Sequence, residues 1–438
     1  MERKGFIARL FSCFTSGLLF NNTKPSNAVL RGDYKSGYVL INLLFSGVLL
    51  YIIYFGSALL KFSAKTIDCP EDARRETCIS VNLTYRASFA FTFFHLLLLL
   101  VCCRRDKLAK SVNEGFWIFK FIALAGIFGA TFALPSNYFH SYAFFSYYLS
   151  CFYLFCQMIS LIDFFYLLAE FFMKKVENGR NSFSSALFFI GLIFYGASAY
   201  LCYEIIEMFW ISTSDSCGLN KTLLVLVLFA CGASASLLLL KVAQHGSLAT
   251  SGGITLFSLF TLWSSFLSYP NATCNPLLTS STGMLLQIIG SSLFGFIVSF
   301  YFSWVSQGSR GMRAAGIDNI NYEIIRRRTG ATDTTNGADY QRFESQFLEK
   351  IEDMKSRVVD YQKNSFIKFH IYMVFFAIYM SPVYSNWGFA HVWGQESWSF
   401  SNDDWEPFMV KALIAVASPI FYTWSIVAPK FKKAAGGP

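Results

Sequence analysis

The sequence predicts an all-α protein, a polytopic membrane bundle of ten transmembrane helices. Three observations predict it. Hydrophobic residues make up 54% of the 438 positions and charged residues only 14%, against roughly 25% charged in an average soluble domain. The apolar residues are gathered into runs long enough to cross a bilayer, about 20 residues each. The basic residues gather on alternate connections between those runs. A soluble fold with so little charge would expose large apolar patches, and disorder, coiled coil and collagen do not fit this composition.

The runs fall at about 37–60, 86–103, 116–134, 139–172, 183–203, 219–240, 252–269, 283–305, 364–383 and 407–428. None shows the short alternating pattern of a membrane β-barrel. Residues 6–20 are apolar around Arg9 and too short to span. They read as an interfacial helix inside a cytoplasmic N-terminal segment, 1–36, and no small-residue cleavage site follows them. Spans one to eight occupy 37–305, a cytoplasmic loop 306–363, spans nine and ten 364–428, and a cytoplasmic tail 429–438.

Charge orients the bundle. The N-terminal segment, the even-numbered loops and the tail hold about 27 of the 36 Lys and Arg residues, and the positive-inside rule places them, with both termini, in the cytoplasm. The opposite loops hold Lys61, Lys65, Arg74 and Arg75. The formal net charge of +9 is thus a topological signal, and nucleic acid is not an expected partner. Sequons at Asn82, Asn220 and Asn271 fall on the outer side and are glycosylation candidates. Four cysteines also lie outside, Cys69, Cys78, Cys217 and Cys274, and their even number permits Cys69–Cys78 and Cys217–Cys274 bridges. Free thiols are the alternative. Lack of a cleavable targeting segment and the outer sequons favour the plasma membrane or endomembranes.

The fourth run has 34 residues from Phe139 to Phe172 without Pro or Gly, about 51 Å of helix at 1.5 Å per residue. It must tilt, extend beyond the bilayer or break. A steep diagonal would divide the other spans into two groups; a normal span with a juxtamembrane extension is the alternative. Ionisable groups within spans are few, and each is a functional candidate by default. Lys120 on the third span and Asp163 on the fourth are placed to form a pair. That pair serves either to lock two helices or to step a charged head group along a path. Lys368 and Lys411, near span ends, are expected to snorkel, and His95 reads as a lone packing histidine. Ala125, Gly126, Gly129 and Ala130 on the third span and Gly295 with Ser299 on the eighth have the small-residue spacing of close helix contacts.

The cytoplasmic loop begins polar and basic, with Arg326, Arg327 and Arg328 as a head-group or topogenic cluster. Residues 340–362 then space Phe343, Phe347, Ile351, Met354, Val358 and Tyr361 as one apolar helical face. Three placements are open to it: on the membrane, under the bundle, or against another copy in a homo-oligomer. Nucleotide-binding, zinc-protease and hydrolase motifs are missing, and the five histidines lack metal-ligand spacing. The expectation is a non-enzyme without cofactor or metal.

Several segments carry a resemblance. Asn113-Glu-Gly-Phe-Trp-Ile-Phe-Lys-Phe121, Leu161-Ile-Asp-Phe164, Ile254-Thr-Leu-Phe through Thr261-Leu-Trp-Ser, and Cys274-Asn-Pro276 resemble motifs of the serine incorporator (TMS membrane protein) family in order and spacing. So do Ser385-Asn-Trp387, Trp405, Val410-Lys411, Tyr422, Trp424 and Ala428-Pro429. The family's N-terminal Cys-rich run is reduced to Cys13, and the long loop differs in composition. The resemblance implies ten spans in two subdomains crossed by a long diagonal fourth helix. It also implies movement of phospholipids, phosphatidylserine among them, between leaflets or, in the alternative, non-catalytic assistance to phosphatidylserine and sphingolipid synthesis. Membrane phospholipids are then the expected partners, with lipid-synthesis enzymes as partners in the alternative. A structural subunit of a larger membrane complex is the third reading. Candidate pathway residues are Lys120, Ser150, Gln157, Ser160 and Asp163.

Overall fold

The structure is a computed structural model. It describes residues 34–55, 67, 75–104, 111–113, 115–177, 179–213, 217–239, 247–277, 281–305, 366–385, 387 and 405–434. The expected interfacial helix at 6–20 and the amphipathic helix at 340–362 lie outside them. The long helices are α1 (Tyr34–Phe55), α2 (Arg75–Arg104), α3 (Trp117–Ala130), α4 (Ser136–Glu177) and α5 (Ser182–Ile206). They continue with α6 (Gly218–Leu239), α7 (Leu248–Leu267), α8 (Ser281–Val305), α9 (Phe366–Tyr384) and α10 (Trp405–Ala434). No strand occurs among the described residues.

Seven of these helices are long and apolar enough to cross a membrane: α2, α4, α5, α6, α8, α9 and α10. The protein is therefore an integral, multi-pass membrane protein. The other three coincide with predicted spans but differ in character. The apolar parts of α1 and α3 are shorter, Gly37–Tyr51 and Trp117–Ala133. Helix α7 is 20 residues long and is interrupted by Thr250, Ser251, Thr255, Ser258, Thr261, Ser264 and Ser265.

Several boundaries differ from expectation for one reason. Polar residues that the fold buries look like loop in a hydropathy reading. Helix α2 begins at Arg75, well before the expected 86, because Asn82, Thr84 and Arg86 are buried rather than solvated. Helix α10 continues to Ala434, into the expected tail. Helix α4 is unbroken for 42 residues, about 63 Å at 1.5 Å per residue, so of the three options for this run, breaking is excluded.

The chain forms two compact units. Unit 1 comprises Met1–Leu49, Phe89–Ala133 and Ser299–Ala377; unit 2 comprises Leu50–Ser88, Leu134–Val298 and Ile378–Pro438. In unit 2, α7 packs against α4, α5, α6 and α10 and is buried from Ala249 to Leu267 except at Leu256 and Phe260. Small residues permit that central position, since they let helix backbones approach closely. A Cβ on Gly253 would stand 2.5 Å from the Phe165 ring of α4, and one on Gly252 would stand 3.0 Å from Tyr195 of α5. By contrast, α5 and α6 bury only 17% and 22% of their most apolar stretch. Among the described residues nothing lies within 4 Å of a Cβ built on Gly126 or Gly129, the small residues of α3.

Serine hydroxyls on α7 serve backbone groups of α10. The Ser258 hydroxyl donates to the Ala415 carbonyl at 2.5 Å. Ala415 lies four residues before Pro419, which has no N–H, so its carbonyl has lost the ordinary helical partner. Ser265 likewise donates to the Phe408 carbonyl at 2.9 Å. In lipid the Ala415 carbonyl has no water to turn to, and a neighbouring helix must satisfy it. At the end of α7, Cys217 and Cys274 form a disulfide with Cα atoms 5.5 Å apart, as expected. Cys78 is also disulfide-bonded; Cys69, its expected partner, lies outside the described residues.

Candidate functional site

The described residues bury three cationic side chains, Arg86, Lys120 and Lys411, and no carboxylate. Burying a charge without a counter-ion is expensive unless polar groups replace its water. The surroundings of the two lysines show what replaces it.

Lys120 belongs to unit 1. Its ammonium donates to the Asn113 carbonyl at 3.0 Å. It stands 3.9 Å from the Trp117 ring centroid and 4.4 Å from that of Tyr38, where ring quadrupoles attract a cation. The turn from Asn113 to Lys120 builds this cage locally. Phe116 adopts φ 60°, a left-handed conformation that non-glycine residues rarely take. It directly precedes Trp117 and the first turn of α3.

A polar file runs from the same Asn113 through the core of unit 1. The Tyr38 hydroxyl donates to Asn113 Oδ1 at 3.0 Å, and His370 Nε2 approaches the same oxygen at 2.8 Å. Asn113 Nδ2 donates to Cys102 Sγ at 3.2 Å. His370 Nδ1 meets His95 Nδ1 at 3.2 Å, and Asn42 Nδ2 meets His95 Nε2 at 3.3 Å. His95 is therefore not a lone packing histidine; it pairs with a ring 275 positions away.

Lys411 belongs to unit 2. The expected snorkelling does not occur, since the residue is 3% exposed. Its ammonium donates to Ser268 Oγ at 2.7 Å and reaches the Ser264 carbonyl at 3.4 Å, with the Trp387 ring centroid at 5.1 Å. Lys411 also lines a cavity of ≈ 20 Å³ together with Gln157, Thr261, Ser264, Tyr379 and Trp387, room for one water molecule. Gln157 is buried and its Oε1 has no hydrogen-bond partner. The residues that carry a buried ammonium and an orphan carbonyl thus line one small void.

Of the expected pathway residues, Gln157 is the one placed at this void. Ser150 and Ser160 are buried but donate to carbonyls one turn back on α4, of Ser146 at 2.6 Å and Cys156 at 2.8 Å. Asp163 is exposed on α4 and falls in unit 2, whereas the Lys120 ammonium is engaged inside unit 1. Among the sequons, Asn271 is exposed. Asn82 and Asn220 are buried; Asn82 Oδ1 accepts from Arg86 at 2.6 Å and Asn220 Nδ2 donates to the Cys274 carbonyl at 3.2 Å. Both side chains are thus enclosed, in contrast to Asn271.

The sequence reading passed over Arg86 as well. It donates through Nε to Asn82 and through both terminal nitrogens to the Leu134 carbonyl at 3.3 Å, under the Phe139 ring at 4.3 Å. The available signal was the i, i+4 spacing of Asn82 and Arg86.

These features define the class: a multi-pass α-helical membrane protein whose core holds cations in aromatic and hydroxyl cages. The family model described as Serine incorporator (Serinc) matches residues 12–433, and the chain belongs to that family. It is 26% identical over 440 residues to a membrane protein of Schizosaccharomyces pombe, covering 95% of this chain and 92% of that one. It is 27% identical over 369 residues to serine incorporator 2 of Homo sapiens, covering 80% and 78%. Serine incorporator 3 of Mus musculus is 30% identical over 236 residues, which take in 50% of this chain and 48% of that protein. The motif residues noted in the sequence now have places: Asn113, Trp117 and Lys120 form one cage, and Trp387 and Lys411 belong to the other.

Proposed function

We propose that this protein moves phospholipids, phosphatidylserine among them, between the leaflets of its membrane without catalysing a covalent reaction. The observation that carries the reading is the Lys411 ammonium, buried with no buried carboxylate among the described residues and lining one void with Gln157, whose carbonyl is an orphan. A phosphate head group would supply the missing counter-charge, and donors of this kind lower the barrier for carrying it through hydrocarbon. The cavity has room for a water-sized guest and not for a phosphate, so the transport state is wider than the one described. All ten helices are spans in this reading, in two subdomains with both termini cytoplasmic, and α4 is the diagonal element. Reconstitution into liposomes with fluorescent phosphatidylserine tests it. Wild-type protein accelerates leaflet exchange over protein-free vesicles, and Lys411→Met slows that exchange several-fold. Exchange no faster than in protein-free vesicles would sink the proposal.

The names of the relatives favour a second reading, assistance to serine incorporation into lipids. It requires serine binding by the purified protein and a lipid-synthesis enzyme that purifies with it. Retained leaflet exchange with neither property removes this second reading.

A further inference from the structure

The Lys411 ammonium has more hydrogens than acceptors. An ammonium carries three N–H donors. The structure gives this one two oxygens, Ser268 Oγ at 2.7 Å and the Ser264 carbonyl at 3.4 Å, and both belong to neutral groups. Trp387 adds a ring centroid at 5.1 Å. Among the described residues Lys411 makes no ion pair, and no carboxylate is buried. One hydrogen and the positive charge are thus left unanswered. Holding an ammonium in that condition inside a membrane protein is costly, and such groups face a partner or a filled cavity.

The void in unit 2 adjoins this charge, because Ser264 and Trp387, which reach the ammonium, line it as well. Its volume is ≈ 20 Å³, against the roughly 10–15 Å³ that one water requires. That space admits a single atom somewhat larger than water and excludes an oxyanion such as phosphate. The rest of the wall can donate. Gln157 is 1% exposed and its Oε1 has no partner. The two ends of an amide are told apart by their hydrogen bonds alone, and exchanging them puts N–H hydrogens where the orphan oxygen stands. Ser291 and Tyr379 bring hydroxyl groups to the same wall.

We propose that this void binds one monovalent halide, chloride in the cell, as the counter-ion of Lys411. The third ammonium hydrogen and the Gln157 amide donate to the ion, and a charge-assisted hydrogen bond of this kind is about twice as strong as a neutral one. The ion is shared by Gln157 on α4, Ser264 on α7, Ser291 on α8, Tyr379 on α9 and Lys411 on α10, so it ties five helices at one point of unit 2. The inference goes beyond lipid transport, since it concerns the narrow state and requires no lipid to move. One consequence does rest on that reading: the halide keeps the place that a head-group phosphate takes when the site widens.

The test uses the full chain in two measurements. In nanodiscs of phosphatidylcholine at fixed pH and ionic strength, the thermal unfolding midpoint of wild-type protein rises by several degrees from gluconate to chloride or bromide and then saturates, as binding to the folded state requires. Lys411→Met protein loses that rise. Equal wild-type midpoints in gluconate and chloride, or a rise of the same size in Lys411→Met, would overturn the proposal. Anomalous diffraction from crystals of the wild-type chain grown in sodium bromide involves no substitution. A bromide peak beside the Lys411 ammonium is the expected result; a void that holds water alone would leave the lysine without a counter-ion and overturn the proposal. Fluorescent-lipid exchange by the same preparation keeps the two readings apart. Exchange without a halide response removes the ion site and leaves lipid transport standing, and a halide response without exchange does the reverse.

Discussion

The two buried lysines solve the same problem in different ways. Lys120 sits between two aromatic rings and a backbone carbonyl, all from α1 and the turn into α3. Its cage is built within unit 1 and tied to a long polar file. Lys411 has a serine hydroxyl as its best partner, a distant carbonyl, one ring at greater range and a void. The first arrangement holds the ammonium with ring faces and one carbonyl; the second holds it with two oxygen acceptors at the wall of a void. A cation that lines a void with an orphan acceptor is the more suitable place for a mobile guest, and one closed between rings is the more suitable place for a fixed structural role.

Three substitutions sharpen this contrast. The largest effect is expected from Asn113→Leu, which orphans the donors of Tyr38 and His370 at once. At about 1–3 kcal/mol for each unsatisfied buried group, unit 1 should lose about 3 kcal/mol, read as a large fall in the thermal unfolding midpoint of protein in nanodiscs. A midpoint within a degree of wild type would mean that the file does not support the unit. Ser268→Ala removes only one bond, but one made to a charge, so a loss of about 2 kcal/mol is expected. Because Lys411 would then depend on whatever fills the void, added phosphatidylserine should restore part of that loss. No response to anionic lipid would place Lys411 with Lys120 as a structural cation. The smallest effect belongs to Ser258→Ala, which leaves the Ala415 carbonyl without its donor near Pro419 and costs about 1 kcal/mol. Amide hydrogen exchange confined to the middle of α10 would detect it, and unchanged exchange there would contradict the role given to the serine.

Much of the fold was legible because hydropathy is a local sum. Each apolar stretch corresponds to a helix, and α4 stood out by length alone. The disulfide between Cys217 and Cys274 was open to inference because outer-loop cysteines are few. The misreadings share an origin. Arg86, Asn82 and Lys411 are polar residues near apolar runs, and a window average assigns them to water. Here neighbouring helices supply their partners instead. Helix α7 is the extreme case: its Ser and Thr content weakens its membrane signal because every hydroxyl has a protein environment.

The amino-acid order by itself determined where the helices lie, that seven of them are long and apolar enough to cross a membrane, and which segments bear the family motifs, since those properties depend on neighbours in sequence. Only the packing decided that His95 meets His370, that Lys411 points inward to a void with Gln157, and that Asn271 is exposed while Asn82 and Asn220 are enclosed. Such partners lie tens to hundreds of positions apart along the chain. A hydrogen bond forms when two groups come within about 3 Å, and that proximity is created by the packing of helices.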